Sequence, residues 1–120
     1  MNSKKCIFCS SKIFSRVILK NKNAFAIYDA DPVTIGHCLI ILKKHKKSFF
    51  NLTKSEILDI YNLIIKLKKN ILKKNVKSFN LGVNYGKVAG QTINHCHFHL
   101  IPRTRNDFDL RLKKDFFWIK

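Results

Sequence analysis

The chain has 120 residues, 46% of them apolar, with 24 Lys and Arg against 7 Asp and Glu, a formal charge of +17. That length suits one compact domain over 1–120, with a core over about 6–103 and a tail over 104–120, and the apolar share excludes wholesale disorder. No run reaches the ~18 apolar residues of a membrane span, and the start at Met1–Cys6 lacks the apolar stretch of a secretory signal, so a cytoplasmic protein is expected, with its four cysteines reduced.

Arg16–Lys20 and Ala24–Tyr28 read as two short strands around the turn Asn21-Lys22-Asn23. A loop with Pro32 and Gly36 follows, then His37–Leu42, rich enough in Ile and Leu for a buried strand. Thr53-Lys-Ser-Glu56 has the form of a capping box, and apolar residues at Ile57, Ile60, Tyr61, Ile64, Leu67, Ile71 and Leu72 predict one long amphipathic helix. Phe79–Asn84 reads as a strand, Tyr85–Gln91 as a glycine-containing loop, and His95–Ile101 as a strand stopped by Pro102. Strands, one helix, then strands predict an α+β fold, an antiparallel meander sheet with the helix across one face. In the tail, Phe116-Phe-Trp-Ile119 is apolar enough to pack on this subunit or a partner.

The segment Gln91-Thr-Ile-Asn-His-Cys-His-Phe-His99 is the most informative. Alternate side chains of a strand share a face, so His95, His97 and His99 are expected together, with Cys96 and Phe98 on the other side. Such a face suits a metal held by three imidazoles or nucleophilic catalysis by one of them. Upstream, Asn84, Gly86, Gly90, Gln91 and Thr92 offer the amide and hydroxyl donors and close backbone approach that hold a phosphate, which favours attack on phosphorus. Cys6-x2-Cys9 alone is half a metal site or a redox pair; His45 and His95 would complete a Cys2His2 set if the fold brought them together. Cys38 and Cys96 read as small core residues.

Gly90-Gln-Thr-Ile-Asn-His-Cys-His-Phe-His-Leu-Ile-Pro-Arg103 resembles the signature of the histidine-triad (HIT) family, and Cys6–Cys9, Ala26–Asp29, Pro32–His37 and Ile41–His45 resemble its first half in the right order. The resemblance is to small bacterial HIT nucleotide hydrolases and implies a HIT-like fold, a homodimer, and release of a nucleoside monophosphate from phosphoramidates or dinucleoside polyphosphates through a nucleotidyl-histidine. It implies His97 as nucleophile, His99 on the phosphate, and Asn84, Gly90, Gln91 and Thr92 around the phosphate and leaving group. Asp29 would hold the ribose, His37 is the fourth histidine near the triad, and Phe8, Ile13 and Ile27 form a slot for a purine base. It further implies a structural zinc on Cys6, Cys9, His45 and His95. The segment after the triad strand, Asn106–Asp115, departs from the Gly-rich Arg stretch of such relatives.

All but four of the basic residues are Lys, scattered without an Arg or aromatic stripe, so they are read as a solvated surface with no specific nucleic-acid partner. Two rivals keep the same pocket: aprataxin-like removal of AMP from nucleic-acid ends, which the charge favours and the short chain disfavours, and a nucleotide-binding protein with little turnover.

Overall fold

The computed structural model describes residues 5–71 and 76–105, so Leu72 and the tail from residue 106, including Phe116–Ile119, lie outside the described residues. Five strands form one open antiparallel sheet: β1 (Val17–Lys20), β2 (Ala24–Tyr28), β3 (Cys38–Leu42), β4 (Ser78–Val83) and β5 (His97–Arg103), in the spatial order β1-β2-β3-β5-β4. The meander runs through β1–β3. β5 then docks on β3 and leaves β4 at the edge. Burial explains the exchange: β5 is buried along most of its length, whereas β4 has no fully buried residue and tolerates the solvent side.

Alternation divides the core into two layers. Ala24, Ala26, Cys38, Ile40, Leu42 and Leu100 pack with the helix residues Ile60, Leu63 and Leu67. Phe25, Ile27, Leu39 and Ile41 point the other way and pack with Phe8 and Ile13 of the N-terminal 3-10 turns. The one α-helix among the described residues, α1 (Lys54–Lys66), therefore covers one face only. Burial of Cys38 and Cys96 pushes their thiols up to about 12 and about 11, as suits inert core groups, with the nearby Glu56 charge adding to the effect at Cys96.

The predicted capping box forms: Thr53 Oγ1 accepts from the Glu56 N–H at 3.1 Å, and Glu56 Oε1 accepts from the Thr53 N–H at 2.8 Å. The apolar stripe is rotated from the expected one. Ile60, Leu63 and Leu67 are buried and Ile64 is partly so, whereas Ile57 and Tyr61 are exposed. The turn at Asn21–Asn23 sets this rotation. Asn23 donates to Asp59 Oδ2 from its backbone and side chain, and the Asn21 amide donates to the Asp59 carbonyl, holding that face of the helix at the β1–β2 turn. The expected helix also ends early: its α-geometry stops at Lys66, and Leu67–Ile71 forms a wider π turn that keeps Leu67 in the core.

Pro102 does not stop β5, which runs on to Arg103 with Pro102 opposite Phe79. β3 reaches only as far as Leu100, and the Pro102 carbonyl accepts from Thr34 Oγ1 at 2.7 Å on that vacated side. The N–H that proline lacks would point there as well, away from the β4 ladder.

Glu56 is buried, and Lys46 Nζ lies 2.8 Å from its Oε1. Burial alone would raise this carboxyl, but the Lys46 hydrogen bond, the Thr53 N–H and the charges of Lys46 and Lys44 together hold it below its ordinary 4.5. A depressed folded-state value means that the carboxylate contributes stability above pH 4.5, lost as the pH falls through the folded value. Glu56→Ala is expected to cost about 1–3 kcal/mol at neutral pH. Urea unfolding as a function of pH should show the gap to wild type closing on the acid side; a gap that persists would mean the pair contributes only packing.

Candidate functional site

The three histidines expected on one face are divided between two clusters. β5 begins at His97, so only His97 and His99 alternate on it, opposite Ile41 and Leu39 of β3, on the face that α1 leaves uncovered. Their ring centroids are 5.2 Å apart and both are buried. His95 precedes the strand, in a bend where its N–H donates to the Ile93 carbonyl at 2.8 Å and the next N–H, of Cys96, donates to Lys46 at 2.7 Å. That detour carries the His95 ring along the same side of the sheet, past Phe8, to the cysteines.

His97 Nδ1 lies 2.7 Å from the His95 carbonyl oxygen. A carbonyl only accepts, so the proton sits on Nδ1 and Nε2 carries a lone pair. Burial lowers the His97 pKa, against the carbonyl hydrogen bond and the Asp29 charge that act the other way, and so favours the neutral ring. His37 is ordered by a second backbone group: the Val33 N–H donates to its Nδ1 at 3.0 Å. Its proton is then on Nε2, which lies 2.9 Å from His99 Nδ1 and 3.4 Å from Asp29 Oδ2. His99 accepts at Nδ1 and carries its proton on Nε2. Asp29 Oδ1 also accepts the Asp31 N–H at 2.9 Å, a local turn, which leaves lone pairs on both carboxylate oxygens for a ligand.

The loop between β4 and β5 is closed by its own backbone: Ala89 and Gln91 donate to the Gly86 carbonyl, and Gly90 donates to Lys87. Gly86 and Gly90 have φ of +94° and +97°, a region where a side chain would strain the turn. Gln91, expected at the phosphate, accepts the Gly86 N–H through Oε1 at 2.9 Å and donates from Nε2 to the Lys47 carbonyl at 3.0 Å. It braces the loop against the segment after β3. Thr92 is exposed, and Asn84 is partly exposed with its amide 3.4 Å from the Gly90 carbonyl.

Cys6, Cys9, His45 and His95 come together as one cluster whose ligand atoms all lie within 4.8 Å of one another. His45 Nδ1 is 3.2 Å from both Cys9 Sγ and His95 Nδ1, and His95 Nδ1 is 3.4 Å and 3.5 Å from the two sulfurs. Donors at zinc–nitrogen and zinc–sulfur bond lengths on a tetrahedron stand about 3.3–3.8 Å apart, so two thiols and two imidazoles at these distances fit a tetrahedral metal. His95 Nε2 donates to the Leu42 carbonyl, which leaves Nδ1 as the ligating nitrogen. Burial lowers the His95 pKa to about 4, which keeps that nitrogen unprotonated.

Phe8, Ile13 and Ile27, expected to form a base slot, are buried together beside the histidine face, and Phe8 packs edge-on against His95 and His97 with centroids 5.7 and 5.1 Å apart. A cavity of about 890 Å3 is lined by Phe8, Phe14, Val17, Leu19 and Phe25 and by none of the histidines. The backbone partners Val33, Leu42 and the His95 carbonyl escape residue-type reasoning, because no side chain marks a carbonyl or an amide as a partner.

The HIT domain family model matches residues 10–106. An adenosine 5'-monophosphoramidase of Schizosaccharomyces pombe is 32% identical over 88% of this chain and 79% of its own length. The asymmetrical bis(5'-nucleosyl)-tetraphosphatase of the same yeast is also 32% identical over 88% of this chain, which spans 58% of that protein. Among solved structures, a zinc-bound histidine triad family protein from Mycobacterium smegmatis superposes with a TM-score of 0.75 at 25% identity, covering 93% of this chain and 85% of that one.

Proposed function

Since the chain belongs to the histidine-triad (HIT) family, whose relatives above hydrolyse nucleotides, we propose that it cleaves phosphoramidate or phosphoanhydride bonds of purine nucleotides through a nucleotidyl-histidine. The observation that carries the reading is the His97 Nδ1–H bond to the His95 carbonyl, which leaves Nε2 unprotonated on the sheet face opposite α1. His97 Nε2 attacks the α-phosphorus as the bond to the leaving amine or nucleotide breaks, and the leaving group takes up a proton. Water then cleaves the phosphorus–nitrogen bond, which releases the nucleoside monophosphate and restores the imidazole. Two displacements at one phosphorus retain configuration. His99, protonated on Nε2, contacts the phosphate; Asn84, Gly90 and Thr92 hold its oxygens, and Gln91 acts by bracing their loop. Intact-mass analysis after rapid mixing with an adenosine phosphoramidate should reveal the adenylylated chain, with the adduct on His97 by peptide mapping. Turnover that never accumulates the adduct under any quench would overturn the covalent route.

Asp29 is assigned to the ribose. A carboxylate with free lone pairs accepts from both vicinal hydroxyls, and losing one charge-assisted bond costs about 1.5–3 kcal/mol. A ribo- over deoxyribonucleotide preference of roughly ten- to a hundredfold in kcat/KM is expected, largely erased in Asp29→Ala. Equal rates for the two sugars on wild type would return Asp29 to its turn.

The cluster of Cys6, Cys9, His45 and His95 is assigned one structural zinc, supported by the donor spacing and the zinc-bound relative. Zinc would be held by all four residues and would tie the N-terminal turn to the bend before β5. A cytoplasmic homodimer is proposed on two surfaces: the outer edge of β4, which pairs only with β5 among the described residues and where Leu81 is exposed, and the outer face of α1, which exposes Ile57, Leu58 and Tyr61. No described helix is long and apolar enough to cross a membrane. With no specific nucleic-acid partner, duplex DNA binding should be weak and should fall steeply with salt; tight binding to adenylated ends at physiological salt would favour repair chemistry instead.

A further inference from the structure

Besides its contact with His99, the imidazole of His97 is held by two groups, both on segments that carry donors of the Cys2His2 cluster. One is the His95 carbonyl, which accepts the Nδ1 proton, on the residue whose side chain is a cluster donor. The other is Phe8, whose ring stands edge-on to His97 at 74° and which lies between the two cysteines in the turn Ile7–Cys9. We infer that the cluster is a positioning device for the nucleophile: metal occupancy, acting through the His95 carbonyl and the Phe8 ring, sets the orientation and proton position of His97.

The coupling is short. The His95 ring is fixed at both nitrogens, Nδ1 in the cluster and Nε2 on the Leu42 carbonyl, and the peptide that carries the His95 carbonyl is held at its other end, where the Cys96 N–H donates to the carbonyl of Lys46, the residue after the cluster donor His45. Without a shared ion, two thiols and two imidazole nitrogens at 3.2–3.5 Å have no common partner to hold them at that spacing. A His95 peptide that turns releases the His97 Nδ1 proton. The ring then populates the tautomer with its proton on Nε2, which has no lone pair for phosphorus. Asp29 and the Asn84–Thr92 loop lie outside the cluster, whereas Phe8 belongs to the expected base slot, so the tautomer acts on kcat and any movement of the Phe8 ring acts on KM.

The inference rests on the reading of His97 as nucleophile, and its primary readout needs no substrate. Long-range 1H–15N spectra of the full chain, with labelled histidine, report the His97 tautomer. Zinc-loaded protein should show a single form protonated on Nδ1. Chelator-treated protein and His45→Ala should show a mixture, while His45→Cys, which restores a donor, should return the single form. On an adenosine phosphoramidate, kcat should fall roughly ten- to a hundredfold in the first two. Should those two fail to fold, cadmium-exchanged protein decides, because the larger ion should shift the His97 ring signals and lower kcat. A single Nδ1-protonated form with unchanged kcat in the metal-free chain overturns the inference; so do identical spectra and kcat with cadmium and zinc, or a full chain that takes up no zinc. A chain that shows the tautomer switch but hydrolyses no nucleotide defeats the catalytic reading alone.

Discussion

His97→Ala is expected to lower hydrolysis of an adenosine phosphoramidate by about 10^4-fold while leaving nucleotide binding within reach of calorimetry. The nucleophile is the one group whose lone pair becomes a covalent bond. The contacts proposed to hold ribose and phosphate come from Asp29, the β4–β5 loop and His99, whose hydrogen bonds to the Asp31 N–H, the loop backbone and His37 do not involve His97. His99→Ala should be milder, because it removes a phosphate contact and leaves the attack possible. The measurement is single-turnover rate against nucleotide affinity for both variants. A residual rate in His97→Ala within about tenfold of wild type would make direct attack by water the operative route.

The second large effect is on stability. The double replacement Cys6→Ser, Cys9→Ser should abolish stoichiometric zinc and lower the unfolding free energy by about 3 kcal/mol or more, because metal binding to a site absent from the unfolded chain is folding energy. For a chain of this size that corresponds to a melting temperature lower by roughly 10–20 °C. The cluster joins three stretches distant in sequence, the 3-10 turn Ile7–Cys9, the segment after β3 and the bend before β5. Metal analysis and thermal melts with and without chelator provide the check. Chelator should bring wild type down to the double variant and leave the variant unmoved; a wild type insensitive to chelator would remove zinc from the account.

How much of this was legible in the sequence varied with the kind of interaction. β2 falls on Ala24–Tyr28 as read, because small and large apolar residues alternate there between a helix-covered face and a second core layer. The capping box was legible for a local reason, a hydroxyl and a carboxylate three residues apart. The rotation of α1 was not, since it is set by Asn21 and Asn23 meeting Asp59 across more than thirty residues. His97 and His99 were placed correctly by alternation. His95 lies on the same side, but the bend that carries its ring to the cysteines was not legible, because it depends on the Cys96 N–H finding Lys46. The four cluster donors were named from resemblance to a family; their spacing along the chain has no fixed relation to a tetrahedron. Gln91 shows a different limit. Its residue type fits both a phosphate ligand and a loop brace, and only Gly86 and the Lys47 carbonyl distinguish the two.

The strict two-layer alternation carries a consequence for how this chain can change. In β2, β3 and β5 the odd-numbered positions 25, 27, 39, 41, 97 and 99 belong to the histidine layer, and the even-numbered ones belong to the helix layer. Substitutions in one layer scarcely touch the other. Length is another matter. One residue inserted or deleted within β5 would turn both imidazoles into the layer occupied by Ile60 and Leu63 and swing Phe98 and Leu100 toward the substrate. Such a lineage can drift far in residue identity, but in these three strands it is bound to conserve parity.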